Sequence, residues 1–205
     1  MEAAGRLQRQ IAFVTEVDKL KGVLRRASPI GMNRRENSAE HSWHAVLTAI
    51  LLQEPSDERV DLLKVIRMLA VHDVVEIDVG DTFHFEKSSR VDLAALEDKA
   101  AERVFGLLPE DQAKVFLELW REFEARETPE AKFAAAIDRF MAVLACYKNG
   151  GGTWLEYDLS AEEVLRGNSG VRKGSSTLWE VVERFVEESV ESGFIRRCEA
   201  EPQSV

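Results

Sequence analysis

The residues with the most chemistry in this chain are four histidines and a few acids placed where acids are costly. The run Leu69-Ala-Val-His72-Asp73-Val-Val-Glu76-Ile-Asp78 carries an apolar stripe of Leu62, Ile66 and Leu69 onward into Asp73 and Glu76. A carboxylate on such a stripe is expensive unless it is paired or bound to metal. His72 and Glu76 are four residues apart and Asp73 and Glu76 three, so on a helix all three project toward one locus. The alternative is a helix end at which the stripe reaches solvent. Residues 129–147 repeat the anomaly: Asp138 sits among inward Ala134, Ile137, Met141, Leu144 and Ala145. A lone inward Asp is most often a hydrogen-bonded core residue, but two such acids in one small chain are harder to dismiss. His41 lies at the start of another helix, in Ser38-Ala-Glu40-His41-Ser42, with His44 three residues on. A His, an adjacent His-Asp pair and a remote Asp on different helices form a donor set that suits a divalent ion with mixed nitrogen and oxygen ligands.

The elements that must position these residues read almost entirely as helix. Leu7, Ile11, Val14 and Val17 give a 3.6-residue stripe, broken at Pro29-Ile-Gly31. Ser38 is the expected N-cap of a helix ending at Glu54-Pro-Ser56, and a third helix is expected from near Asp57 through Glu76. Gly80-Asp81 opens an irregular stretch to about Arg90, and residues 92–107 and 109–126 follow as two amphipathic helices. Thr128-Pro129-Glu130 is a strong start for a helix that stops at Asn149-Gly-Gly-Gly152. Ser160–Glu163 and Thr177–Glu180 both fit the capping box, and Leu178, Val181, Val182, Phe185 and Val190 mark a last helix. No segment alternates like a strand and none repeats. The expectation is an all-α chain, one helical bundle with short irregular loops over residues 1–196, with 197–205 a frayed tail.

Composition narrows the function. The chain has 205 residues, 45% of them hydrophobic, and a net charge of −10. That is enough to bury a core without staples, and the acidity disfavours nucleic acid or an anionic membrane as partner. The charge is uneven: residues 1–35 carry an excess of five positive charges, which suits either a small anionic ligand or ordinary solvated helix faces. Cys146 and Cys198 show no disulfide framework, no apolar stretch is long enough to span a bilayer, and the first residues do not form a secretory signal. A cytoplasmic location is expected.

The order His41, His72-Asp73, Asp138, with spacings of 31 and 65 residues, resembles the signature of the HD-domain metal-dependent phosphohydrolases. Glu40-His41-Ser42, the ten residues His72-Asp73-Val-Val-Glu76-Ile-Asp-Val-Gly80-Asp81, and Arg34-Arg-Glu36-Asn37 are similar to the YfbR-like 5′-deoxynucleotidases in particular. The likeness covers about residues 20–150. It implies that His41, His72, Asp73 and Asp138 bind one divalent ion and that Glu76 and Asp81 handle protons and water. It implies that Arg26, fifteen residues before His41, contacts the phosphate side of a nucleotide, and that the protein is a homodimer. Ala27 stands where the subgroup has a Trp that helps select deoxyribose; Trp43, Phe83 or Trp154 would have to supply that wall from elsewhere. His44 matches no ligand of the family, and Asn149–Trp154 is foreign to its pattern, either closing the pocket or simply stopping a helix.

The chemistry that follows is phosphate-ester hydrolysis. A divalent ion polarises the phosphoryl group and lowers the pKa of water. Imidazole with carboxylate suits Mn, Fe, Co, Ni or Zn, and Mg stays among the candidates. Glu76 is the expected acid or base, with Asp81 its partner. Arg26 and Arg34 are the expected phosphate clamps because a guanidinium offers two parallel donors, and Lys87 is a weaker candidate. The leading reading is a phosphomonoesterase on a nucleoside 5′-monophosphate or a similar small phosphate. A phosphodiesterase or pyrophosphohydrolase on a signalling nucleotide, and a non-catalytic metal- or nucleotide-binding module, are the alternatives. Retention of both Glu76 and Asp81 argues against the last.

Overall fold

The computed structural model describes residues 2–81 and 90–198. The expected roles of Phe83 and Lys87, and of the tail beyond residue 198, lie outside the described residues. Helices make up most of the described residues: α1 (Glu2–Val17), α2 (Ser38–Leu51), α3 (Leu62–Val71), α4 (Glu76–Val79), α5 (Arg90–Phe105), α6 (Glu110–Ala125), α7 (Pro129–Lys148), α8 (Thr153–Glu156), α9 (Ala161–Asn168), α10 (Val171–Gly174) and α11 (Ser176–Glu191). Extended pairing among the described residues is confined to two isolated bridges, Leu24 with Asn37 and Ser160 with Arg196. The expectation of an all-α architecture holds.

The centre is α7, which packs against α2, α3, α6, α10 and α11. Thr128 starts it as expected: its side chain accepts from the Ala131 N–H, with Pro129 in the first turn. Phe133, Ile137 and Val143 of α7 are buried against Val65, Met68 and Leu69 of α3 and Ala45 and Ala49 of α2. Each such large side chain contributes about 1.5–3 kcal/mol relative to its exposed state. A smaller cluster joins Phe13 of α1 to Val71, Val74 and Val75 and to Val104, Phe105 and Trp120.

Several local expectations are corrected. Asn37, not Ser38, caps α2, its side chain accepting from the Glu40 N–H; Ser38 is buried in the first turn instead. Ser175, not a box at Thr177–Glu180, caps α11, whereas the Ser160–Glu163 box is present. Leu7, Ile11 and Val14, read as one apolar helical stripe, are 57%, 57% and 69% exposed. The helix docks through Phe13 and through polar contacts such as Arg6 to Asp111 and Arg9 to the Gly106 carbonyl, which turn that stripe outward.

The third helix is capped by Asp61 and is not continuous to Glu76. It ends at Val71, and the chain tightens: Val74 donates to Val71, Glu76 to Asp73 and Asp78 to Val75, each three residues back. Gly80, with φ at 75°, then closes α4 by donating to the Glu76 carbonyl. This break re-aims His72 and Asp73 toward α2 and α7.

The closest backbone approach is that of α10 to α7. A Cβ on Gly174 would fall on the Lys132 carbonyl oxygen and lie 2.9 Å from Ala136 Cβ, whereas Gly170 has open space. Gly174→Ala should therefore lower the stability by about 1–3 kcal/mol or more, read from the denaturant midpoint, with Gly170→Ala close to wild type. Equal midpoints for the two variants would show that α10 adjusts without cost.

Candidate metal centre

Three parts of the fold converge on one point. His41, in the first turn of α2, is 2% exposed, and its Nε2 lies 2.9 Å from Asp138 Oδ1 on α7. His72, at the α3–α4 break, donates from Nδ1 to the Leu69 carbonyl at 2.9 Å. A carbonyl can only accept, so that bond assigns a proton to Nδ1 and turns Nε2 toward the site. His72 Nε2 lies 3.1 Å from Asp73 Oδ1 and 3.8 Å from Asp138 Oδ1. It is buried and has no partner in hydrogen-bond geometry among the described residues. One ligating atom from each of His41, His72 and Asp73 fits within 4.8 Å of the others.

A buried, unpartnered imidazole nitrogen facing two carboxylates fits a divalent cation well. The second atoms of the imidazoles support the same reading, since metal-binding His residues are commonly oriented by a carbonyl or carboxylate on the other nitrogen. For His72 that group is the Leu69 carbonyl. For His41 it is Glu36, whose Oε2 is 3.4 Å from Nδ1. Burial alone would push both imidazoles toward the neutral form, but the neighbouring carboxylates win: both are raised, His72 to about 9. Asp138 is opposed by burial yet held well below the ordinary carboxylate range by its hydrogen bond to His41 and the nearby His72 imidazole.

The residue that sequence reasoning missed is Arg25. Its guanidinium lies 2.7 Å from Asp73 Oδ2, 3.8 Å from Asp138 Oδ1, and 3.9 Å from both Glu76 Oε1 and Glu36 Oε2. The excess of positive charge in residues 1–35 was the only signal for it. Glu36, present in the Arg34–Asn37 motif, likewise acquires a role only from its position against His41 and Arg25.

Glu76 lies beside this cluster. Ser38 Oγ donates to its Oε2 at 2.5 Å, and burial first, then the charge of Asp73, push it up to about 8. Asp81 accepts from the Arg26 N–H at 3.1 Å, tying the end of the second motif to the Arg25–Ala27 segment. Glu76 and Asp81 border a cavity of about 210 Å³ whose lining also includes Arg25, Arg26, Ala27, His72, Asp73 and Asp138. Glu97, Glu124, Arg126 and Arg139 complete its other wall. Burial, then the neighbouring Glu124, raises Glu97 to about 7.

One expected site residue is not brought in. Arg34 is about half exposed and held bidentate by Glu40 at 2.8 and 3.0 Å, and it does not line the cavity. His44 stacks near Trp43 on a different hollow, and Trp43 is 68% exposed. The Asn149–Gly152 segment, by contrast, does more than stop a helix. Asn149 donates to the Ser28 and Pro29 carbonyls at 3.1 and 3.3 Å and accepts from the Gly31 N–H at 2.9 Å. It thus straps the loop that follows Arg25–Ala27. Three successive glycines with positive φ then turn the chain so that Thr153 and Trp154 line the cavity.

An all-α bundle that gathers two buried imidazoles and two acids from three helical segments is a metal-binding helical protein. Residues 17–179 match the HD domain family, and the chain belongs to it. The chain is 29% identical over 131 residues to the human 5′-deoxynucleotidase HDDC2 and 31% over 128 residues to its mouse counterpart. Each match covers 62% of this chain, and the chain spans 63% and 64% of those relatives, a little under two thirds. A solved structure of a predicted metal-dependent phosphohydrolase from Magnetospirillum magnetotacticum MS-1 is 44% identical, with a TM-score of 0.89, covering 94% of this chain and 96% of that one. A Pyrococcus horikoshii OT3 protein, 23% identical, shares the fold at a TM-score of 0.62 over 85% of this chain and 99% of its own.

Asp138→Asn and His72→Ala should each abolish stoichiometric binding of a divalent metal while the helical circular dichroism persists. Full metal stoichiometry in both would remove the assignment. In the wild type, metal binding must displace protons from the raised imidazoles, so affinity should tighten as pH rises from 6 toward about 9.

Proposed function

We propose that this chain is a metal-dependent phosphohydrolase, a phosphomonoesterase acting on nucleoside 5′-monophosphates or a related small phosphate ester. The observation that carries this reading is one cavity lined by His72, Asp73 and Asp138, with His41 beside them, by a buried acid poised near neutrality, and by several guanidinium groups. The names of the relatives, 5′-deoxynucleotidase and metal-dependent phosphohydrolase, support it.

When bound, a single divalent ion in that donor set supplies polarisation of the phosphoryl group and a lowered pKa for water. The remaining work belongs to the chain. Glu76 holds a proton readily because it is buried beside Asp73, and Ser38 fixes its orientation through Oε2. So placed, Glu76 can take a proton from water or give one to the leaving alkoxide. Asp81 holds the Arg26 segment at the cavity edge and is its acid–base partner in this reading. Arg26 borders the cavity and is the proposed phosphate contact, with Arg25 held among the acids beneath it. We further read residues 1–196 as one domain of a cytoplasmic homodimer. Exposed Leu7, Ile11 and Val14 on α1 and Trp43, Leu47, Ile50 and Leu51 on α2 support the association, and two unpaired cysteines support a reducing compartment.

A matrix of metals against phosphate monoesters, diesters and nucleoside diphosphates tests the activity. Release of inorganic phosphate from monoesters is expected; diester or pyrophosphate cleavage alone, or tight binding without turnover, would replace this reading. Within it, Glu76→Gln should retain the metal and lower kcat by about 10²–10⁴-fold. Loss of metal from that variant would make Glu76 a ligand instead.

The sugar preference follows from Ala27. Its methyl group borders the metal cavity and two neighbouring hollows of about 330 and 230 Å³. No wall at this position crowds a 2′-hydroxyl, and of the aromatic substitutes in the described residues only Trp154 lines the cavity. Selectivity that rests on crowding is lost when the crowding group is absent. Paired ribo- and deoxyribonucleoside 5′-monophosphates should therefore differ in kcat/KM by less than about tenfold, with Ala27→Trp increasing the deoxy preference. A strong deoxy preference already present in the wild type would make another residue, Trp154 first, the determinant.

A further inference from the structure

Asp138 divides its two oxygens between different neighbours. Oδ1 faces His41 and His72; Oδ2 faces Arg139, the next residue on α7, with Nε 3.9 Å away. Arg139 lines the metal cavity, and its side chain is only 21% exposed. Among the described residues, its guanidinium makes no hydrogen bond, and that Asp138 oxygen, too distant for one, is the only carboxylate oxygen within ion-pair distance. Other arginines of this chain are engaged: Arg25 with Asp73, Arg34 with Glu40, Arg35 with Glu156, Arg103 with Glu16, Arg121 with Asp98.

A guanidinium carries five N–H donors and cannot shed its charge. Withdrawing it from water without acceptors is costly. Internal acceptors are near: Glu97 and Glu124 border the same wall, yet neither reaches ion-pair distance of Arg139. Arg126, a non-glycine residue with φ at 52° at the end of α6, adds a second cation to that wall. The fold thus holds one shielded guanidinium with its donors unused, beside the innermost carboxylate of the metal centre.

We infer that Arg139 is an anion-binding residue of this site, taking tetrahedral oxyanions, and the phosphoryl oxygens of the substrate in particular. The fork of a guanidinium matches two oxygens of a phosphoryl group. The contact comes from α7, a different element from the Arg25–Ala27 segment, so the phosphate is held from two parts of the fold. That the anion is a substrate group rests on the phosphohydrolase reading; that the residue binds an oxyanion does not.

The test uses the full-length, manganese-loaded protein and inorganic phosphate as probe, with binding measured by calorimetry. Arg139→Gln should keep the metal stoichiometry and weaken phosphate binding at least tenfold, equivalent to about 1.4 kcal/mol. Arg139→Lys, which keeps the charge and loses the fork, should fall between that variant and the wild type. Phosphate affinity within twofold of wild type in Arg139→Gln, whether or not its thermal midpoint drops, would make Arg139 structural and overturn the inference. If Arg139→Gln does not fold, Arg139→Lys decides, and an affinity equal to wild type overturns it. No phosphate binding by the wild type also overturns it. If the wild type binds phosphate, Arg139→Gln does not, and no ester is hydrolysed, the anion site stands and the proposed enzymatic activity falls.

Discussion

Four carboxylates, those of Glu36, Asp73, Glu76 and Asp138, converge around one guanidinium, that of Arg25. Two like charges about 4 Å apart repel by about 4 kcal/mol at an effective dielectric constant of 20, so this cluster exists only because positive charge is brought into it. Arg25 supplies one part, opposed by burial but held firmly charged by Asp73, Asp138, Glu76 and Asp81. The two raised imidazoles supply more. A divalent cation would add to the same balance, and it suits the buried His72 nitrogen that has no hydrogen-bond partner among the described residues. Charge compensation at this point explains why the site selects a cation, why Glu76 is poised near neutrality, and why Arg25 has little freedom to act on anything else.

The rest of the architecture serves to hold those charges together. The fully packed middle of α7 sets Asp138 on a rigid element, with Ile137 buried beside it. Tightening of the backbone after Val71 presents His72 and Asp73 inward, a placement that a straight helix would not provide. The Arg25–Ala27 segment is not itself helical. It is held by the Leu24–Asn37 bridge, by Asp81 through the Arg26 N–H, and by Asn149 through the loop that follows. The glycine turn after Asn149 therefore joins two things that look unrelated along the chain, the strap on that loop and the Thr153–Trp154 wall of the cavity.

The cavity has two chemically different halves. One is acidic and meets the metal centre; the other combines Glu97 and Glu124 with Arg126 and Arg139. Ala27 itself is a small residue, and two neighbouring hollows also border it. The proposed metal locus is bounded by His41, His72, Asp73 and Asp138, while the surrounding volume limits what can approach it.

Much of this was legible from residue order. Helical periodicity and the caps at Thr128 and Ser160 identified the helical class, because such signals are local and depend only on side chains within one turn of each other. Asp73 and Asp138 betrayed themselves because a charged group on an apolar stripe is costly wherever the chain folds. The outward turn of Leu7, Ile11 and Val14 was not legible, since periodicity marks a face without saying what covers it. Nor was Arg25: nothing local distinguishes it from Arg26, and only the packing of its segment against α2, α4 and α7 sends one guanidinium among the acids. Arg34 failed in the opposite sense, its motif suggesting a clamp while the nearby Glu40 captures it. Arg139 looks in the sequence like an ordinary helical cation. Its unused donors exist only because tertiary structure encloses that side chain and keeps acceptors at a distance, and no arrangement of neighbours along the chain encodes that distance.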